Sequence, residues 1–139
     1  MIILAFDFGI KKIGVAVGEN IIKKGRPLKF LHAHNGYPNW YSVQSLINLW
    51  EPKLIIVGLP LNINGTKQTI TNKSEKFANL LQSKFNITVK MHDERLTTVE
   101  AKSIMFYKYG FKSLKKIDNI HSYAAVIILE SWLNRNVNK

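Results

Sequence analysis

The first eighteen residues constrain the fold most. An apolar run, Met1-Ile-Ile-Leu-Ala-Phe6, ends at Asp7. Gly9 follows, and a second β-rich run occupies Ile13-Gly-Val-Ala-Val17. Two strand-length runs joined by so short a connection fold back on each other, here around Gly9-Ile-Lys-Lys12. A hairpin of residues 1–7 and 12–18 is therefore expected. It sets one carboxylate, Asp7, at a sheet edge. Gly9 beside it permits close backbone approach or a positive φ.

The rest of the chain extends this hairpin into a sheet. Leu28–His32 reads as a third, weaker strand. Asn39 is placed to cap a helix running to about Glu51, with Trp40, Val43, Leu46, Ile47 and Trp50 on one stripe, and Pro52 stops it. Leu54-Ile-Ile-Val57 suits a strand buried on both faces. A Gly/Pro/Asn loop follows from Gly58 to Thr66. A helix from about Gln68 to Phe85 carries Ile70, Phe77, Leu81 and Phe85 at helical spacing, and Ile87–His92 is another strand. Thr97-x-x-Glu100 is a capping box that opens a further helix. A last helix runs from about Ile120 to Asn134. The order βββαβαβαα implies an antiparallel meander followed by parallel crossovers. The expected architecture is one α/β domain over residues 1–139. It has a mixed five-stranded sheet flanked by helices, an arrangement found in ribonuclease-H-like domains.

Charge sets the class of partner. Lys and Arg number 20 and Asp and Glu only 9. Four of the acids (Asp7, Asp93, Glu94 and Asp118) fall at ends of elements rather than on solvated faces. Negative points in a positive field suit a metal-dependent enzyme acting on nucleic acid. The chain has no Cys, which excludes disulfides, thiolate zinc sites and a Cys nucleophile. No apolar run reaches the roughly 18 residues that span a bilayer. The N-terminus has no basic segment before its apolar stretch and reads as a core strand. A cytoplasmic protein without a membrane partner is expected, either a monomer or a weak homodimer.

Five constellations bear chemistry. Asp7-Phe-Gly-Ile-Lys-Lys-Ile-Gly14 offers a carboxylate beside Lys11 and Lys12. Gly58–Thr66 offers either phosphate donors or an ordinary strand-to-helix loop. It lacks the Gly-x-x-x-x-Gly-Lys-Ser/Thr pattern, so a P-loop ATPase is unsupported. His92-Asp-Glu-Arg-Leu-Thr-Thr98 places Asp93 and Glu94 at the carboxyl end of a strand, where open α/β sheets bind ligands. Arg95 is either a salt-bridge partner for them or a phosphate clamp. Asp118-Asn-Ile-His121 sets two ligand types one turn apart. His121 shares the stripe of Ala125, Ile128 and Trp132, so it is expected to face the sheet. Tyr107-Lys-Tyr-Gly-Phe-Lys-Ser-Leu-Lys-Lys116 interleaves Lys112, Lys115 and Lys116 with aromatics that can stack on unpaired bases.

Taken in order, Asp7–Gly18, Ile56–Thr66, Asp93–Ala101 and Ala124–Ser131 resemble the YqgF family of RuvX-type proteins. The resemblance covers nearly the whole chain. It implies a ribonuclease-H-like fold related to RuvC-type Holliday junction resolvases. The implied activity is a nuclease that matures the 5′ end of pre-16S rRNA, with branched DNA as the alternative substrate. Carried over residue by residue, it implies Asp7 as the first-strand metal ligand and Asp93-Glu94 as the second acidic contribution. Glu94 is the stronger candidate of that pair. Where the family usually has a final-helix Asp, this chain has His121, and Asp118 lies one turn earlier. Either of these supplies the last ligand, or the site is impaired. The implied cofactor is Mg²⁺ or Mn²⁺, two ions roughly 4 Å apart supporting in-line attack of water on a phosphodiester. Lys11, Lys12, Arg95, Lys112, Lys115 and Lys116 would hold the nucleic-acid backbone. A non-catalytic binding module is the alternative class. An actin-like ATPase shares the Asp-x-Gly hairpin, but 139 residues leave no room for its second domain.

Overall fold

A computed structural model describes residues 1–62, 64–94 and 117–136, excepting the side chains of 117–121 and 136. Its strands are β1 (Ile2–Asp7), β2 (Lys12–Glu19), β3 (Lys24–His34), β4 (Tyr37–Pro38), β5 (Leu54–Leu59) and β6 (Thr88–Asp93). Its helices are α1 (Trp40–Trp50), α2 (Thr69–Phe85) and α3 (Ile117–Asn136). The strands form one mixed sheet in the order β4-β3-β2-β1-β5-β6. β1, β2 and β3 are antiparallel, whereas β5 joins β1 and β6 joins β5 in parallel. The sheet has six strands rather than the expected five because β3 is longer than Leu28–His32 and turns back. Asn35 (φ 50) and Gly36 (φ 84) both take left-handed backbone, which closes the tight β3–β4 turn. The capping box at Thr97 lies outside the described residues. Among the described residues no helix is long and apolar enough to cross a membrane.

Strand alternation builds two cores, one on each face. Leu4, Phe6, Ile13, Val15, Val17, Ile55 and Val57 pack beneath α1 and α2, with Val43, Ile47, Phe77 and Leu81. Ile3, Ala5, Ala16, Leu54 and Ile56 face α3, with Ala125, Val126, Leu129 and Leu133. β1 and β5 are thus apolar on both sides, as the run Leu54–Val57 implied. The helix ends follow local chemistry. The Asn39 side chain accepts from Tyr41 N at 3.0 Å to cap α1. Glu51 ends that helix with a left-handed φ of 46°.

α3 lies close on the sheet because two glycines admit it. Gly18 and Gly25 pair across β2 and β3, and a Cβ on either would come within 3 Å of Leu129 Cδ2 (2.7 and 2.9 Å). Near the start of the same helix, fully buried Ser122 performs a different task. The β2–β3 register slips between Ile13 and Val15, where Ile13 pairs with Leu31 but Val15 with Leu28. Such a bulge disrupts the ladder. Ser122 Oγ accepts from Val15 N at 3.3 Å and donates to the Leu28 carbonyl. One hydroxyl thereby serves both backbone groups at the irregularity. Ser122→Ala is expected to leave a buried N–H and a C=O unpaired, at about 1–3 kcal/mol. Thermal melting should show this as a Tm lower by roughly 4–12 °C. A Ser122→Ala protein that melts like the wild type would refute that role.

Candidate active site

Asp7 closes β1. Ile3 and Ala5 belong to the α3 side, so alternation puts Asp7 on that side also, while Phe8 joins the opposite core. Asp7 pairs with Gly14 on β2. On its other flank the parallel register runs to Phe6 opposite Val57, so one step further sets Asp7 beside Gly58. Adjacent strands in such a pair lie about 4.8 Å apart. Gly9 makes the turn after Asp7 by close approach, not by a positive φ. A Cβ there would lie 2.2 Å from the Lys12 carbonyl oxygen.

Glu94, directly after β6, reaches Gly58. A Cβ on Gly58 would sit 3.1 Å from Glu94 Oε1 and 2.6 Å from Ile128 Cδ1. The Glu94 carboxylate therefore lies over Gly58, on the face that α3 covers and next to the end of β1. Gly58 is the gap in the sheet surface that receives it. Sequence reading took Gly58 only as the start of a possible phosphate loop. Its partnership with Glu94 depends on the β1–β5–β6 register. Strand alternation sets Asp93 on the other face from Gly58. Val89 and Met91 pack with the α1–α2 core, and Asp93 continues that row.

His92 falls on the α3 side and is buried, its Nε2 2.9 Å from Ser131 Oγ. Burial lowers its pKa below the ordinary histidine value. Arg135 lowers it further, and Asp93 acts in the opposite sense. The imidazole is thus neutral at pH 7 and ties β6 to α3 just before the acidic pair. Lys12, opposite His32, shares the α3 side of β2 and extends its ammonium over the Phe30 ring at 5.1 Å. Lys11 is exposed in the turn, with its carbonyl accepting from Ala33 N at 2.8 Å.

The backbone of α3 includes positions 118 and 121. Ser122 binds α3 to Val15, the residue paired with Phe6. The first turns of α3 thus begin at the end of the sheet that carries Asp7. The side chains of Asp118 and His121 lie outside the described residues, as do Arg95, Lys112, Lys115 and Lys116. Among the described residues no three metal-ligating side chains form a cluster. The Glu94 carboxylate lies over Gly58, and the parallel register sets Asp7 at the end of the neighbouring strand. In the Gly58–Thr66 loop the exposed side chains of Asn62, Asn64 and Thr66 bond one another. Asn64 Oδ1 accepts from Thr66 N and Oγ1, and Asn62 Nδ2 donates to Thr66 Oγ1. It is a self-bonded strand-to-helix loop.

Comparison with known proteins identifies the family and the fold. A family model described as "RuvX: Holliday junction resolvase" matches residues 1–135. A protein of Buchnera aphidicola subsp. Acyrthosiphon pisum (strain APS), named "Putative pre-16S rRNA nuclease", is 76% identical over 97% of this chain and 99% of its own. One of Pectobacterium carotovorum with the same name is 50% identical, over 94% of this chain and 93% of its own. Among solved structures, Thermus thermophilus RuvC bound to a Holliday junction substrate superposes with a TM-score of 0.64 at 13% identity, covering 98% of this chain and 96% of that one. The fowlpox virus Holliday junction resolvase superposes at 0.59 with 18% identity, covering 97% and 99%. These structures share the ribonuclease-H-like fold expected from the element order. With a family model matched along almost its whole length, the chain belongs to the RuvX family of Holliday-junction-resolvase-like nucleases.

Proposed function

We propose that this chain hydrolyses phosphodiester bonds with the help of a divalent cation held by Asp7 and Glu94, and that its substrate is the 5′ end of pre-16S rRNA. One observation carries the reading. The Glu94 carboxylate, just past β6, lies over Gly58, which the register sets beside Asp7 on the same face and at the same end of the sheet. The oxygen donors of Asp7 and Glu94 suit Mg²⁺ or Mn²⁺, and the missing side chain at Gly58 leaves them room. A divalent cation there would neutralise phosphate charge and make water a better nucleophile. Asp7 and Glu94 would hold it, with His121 or Asp118 as the further donor from α3. Lys12 shares the face and can meet a phosphate oxygen. Lys11, Arg95, Lys112, Lys115 and Lys116 complete the proposed backbone contacts. The names of the relatives support the rRNA substrate. The family description and the junction-bound RuvC neighbour support a second reading, cleavage of branched DNA.

The test is cleavage of pre-16S rRNA 5′ fragments and of four-way DNA junctions under Mg²⁺ and under Mn²⁺. RNA cleavage is expected. Cleavage of junctions alone would transfer the assignment to the second substrate. Binding without cleavage of either would reduce the chain to a binding module.

The last donor has its own signature. If it is His121, imidazole binds metal only when neutral, with an ordinary pKa of about 6.5. Activity should then fall as the pH drops through that range, and Mn²⁺ should outperform Mg²⁺. His121→Asp should restore Mg²⁺ use and flatten the acid limb of the pH–rate profile. Full activity in His121→Ala together with none in Asp118→Ala would assign the role to Asp118 instead.

A further inference from the structure

We propose that the face of the sheet away from Asp7 and Glu94 carries a pocket for one unpaired nucleotide of the substrate strand. Aromatic side chains would take the base, and Lys73 and Lys76 its phosphate. This inference rests on the nucleic-acid reading above and extends it. A cavity of about 150 Å³ opens between the β3–β4 turn and α2. Phe8, Trp40, Phe77 and Leu80 make its apolar wall. The aromatic rings are fixed by mutual contact, Phe8 to Phe77 at 5.4 Å and Trp40 stacked on Phe77 at 5.9 Å. Phe8 and Phe77 are buried and back the pocket, so the π-face of a base would meet half-buried Trp40 and exposed Tyr37.

The opposite wall is polar and cationic. Lys73 Nζ donates to Asn35 Oδ1 at 3.1 Å, and Lys76 Nζ to Tyr37 Oη at 3.2 Å. Both partners are uncharged. Two ammonium groups one helical turn apart thus border the cavity, Lys76 also lying over the Tyr37 ring at 5.4 Å, with no carboxylate among the described residues paired to either and no acid in the lining. Tyr37 is 53% exposed, so a large aromatic ring stands at the rim. The Asn35 amide and Tyr37 hydroxyl can bond the edge of a base. An anion attached to a flat aromatic body satisfies both walls at once, and a nucleotide has that chemistry.

The location suits a strand held at two points. Phe8 in the pocket wall directly follows Asp7. The turn bearing Asn35 is bound to the β1–β2 connection by Gly36 N donating to the Ile10 carbonyl at 2.9 Å. Pocket and acidic pair therefore lie at the same end of the sheet, on opposite faces.

The test uses the full chain and single-stranded hexauridylate in EDTA, so that binding is read without any cleavage. Lys73→Gln/Lys76→Gln should weaken binding about tenfold and lower the logarithmic salt slope by about 1.4, two single-strand contacts at about 0.7 each. A control, Lys24→Gln/Lys53→Gln, removes the same charge from exposed positions at the other end of the sheet and should change binding much less. An abasic hexamer of equal charge should bind the wild type several-fold more weakly than hexauridylate. A 4-thiouridine-labelled hexamer should crosslink the wild type within residues 35–40, a readout that needs no variant. Equal losses in both lysine pairs, equal binding of abasic and normal hexamers, or crosslinks only elsewhere would overturn the pocket. So would a hexaglutamate peptide that competes as well as the RNA. Failure of cleavage with these binding results intact would strike only the catalytic reading.

Discussion

Asp7→Asn is expected to lower divalent-metal-dependent cleavage at least about a hundredfold, the scale on which single groups that stabilise charge in a transition state act. Nucleic-acid binding should remain nearly intact. The amide keeps the size of the carboxylate and most of its hydrogen-bonding capacity, so the end of β1 has no steric reason to move. What it loses is the charge that would hold a cation. Affinity is expected to depend instead on the 20 Lys and Arg residues. Removing one negative charge from a chain of net charge +11 does not weaken that attraction. Cleavage, binding and melting should be measured on the same preparation. Undiminished cleavage would refute the role of Asp7. Lost cleavage with lost binding or a collapsed melting curve would mean that the residue supports the fold rather than the chemistry.

The parts of the fold legible in the sequence were those with a clean local period. The hairpin of Ile2–Asp7 and Lys12–Glu19 and the buried run in Leu54–Leu59 follow from apolar alternation and continuity. The α1 stripe and its Asn39 cap follow from helical spacing and side-chain chemistry. β3 was harder because Lys24, Gly25, Arg26 and Pro27 look like a turn. They are held in the sheet by β2 and by Glu130, which accepts from Gly25 N at 3.0 Å across 105 residues. The short β4 had a signal that went unused, Asn35-Gly36, a pair that favours tight hairpins. Ser122 had no local signal, since its partners at Val15 and Leu28 are distant in sequence.

The candidate site divides in the same way. Asp7 and Glu94 were legible because each ends or follows a strand, where ligands gather in open sheets. The position of Glu94 over Gly58, beside the end of β1, was not legible, because it needs the parallel register of β1, β5 and β6 together. The pocket beside Lys73 and Lys76 was also hidden. It joins two helical lysines to a hairpin nearly 40 residues away in the chain, at separations of 38 and 39.

The dependence on register gives the sharpest structural prediction, at Gly58. It occupies β5 with no positive φ, so alanine meets no backbone penalty there. The obstacle is space. Its Cβ would lie 2.6 Å from Ile128 Cδ1 and 3.1 Å from Glu94 Oε1. The first contact is an overlap inside the α3-facing core, for which about 1–3 kcal/mol of destabilisation is expected. The second is a push on a carboxylate that the proposed chemistry needs in place. Gly58→Ala should therefore lower Tm by roughly 4–12 °C and cut cleavage at least about tenfold. The two effects can be separated. Ile128→Val removes the Cδ1 atom and nothing else, so Gly58→Ala/Ile128→Val should regain most of the melting temperature through non-additive coupling. It does not relieve the contact with Glu94, so cleavage should remain low. Recovery of cleavage along with stability would show that only the core was disturbed, and that catalysis does not depend on where Gly58 lets Glu94 lie.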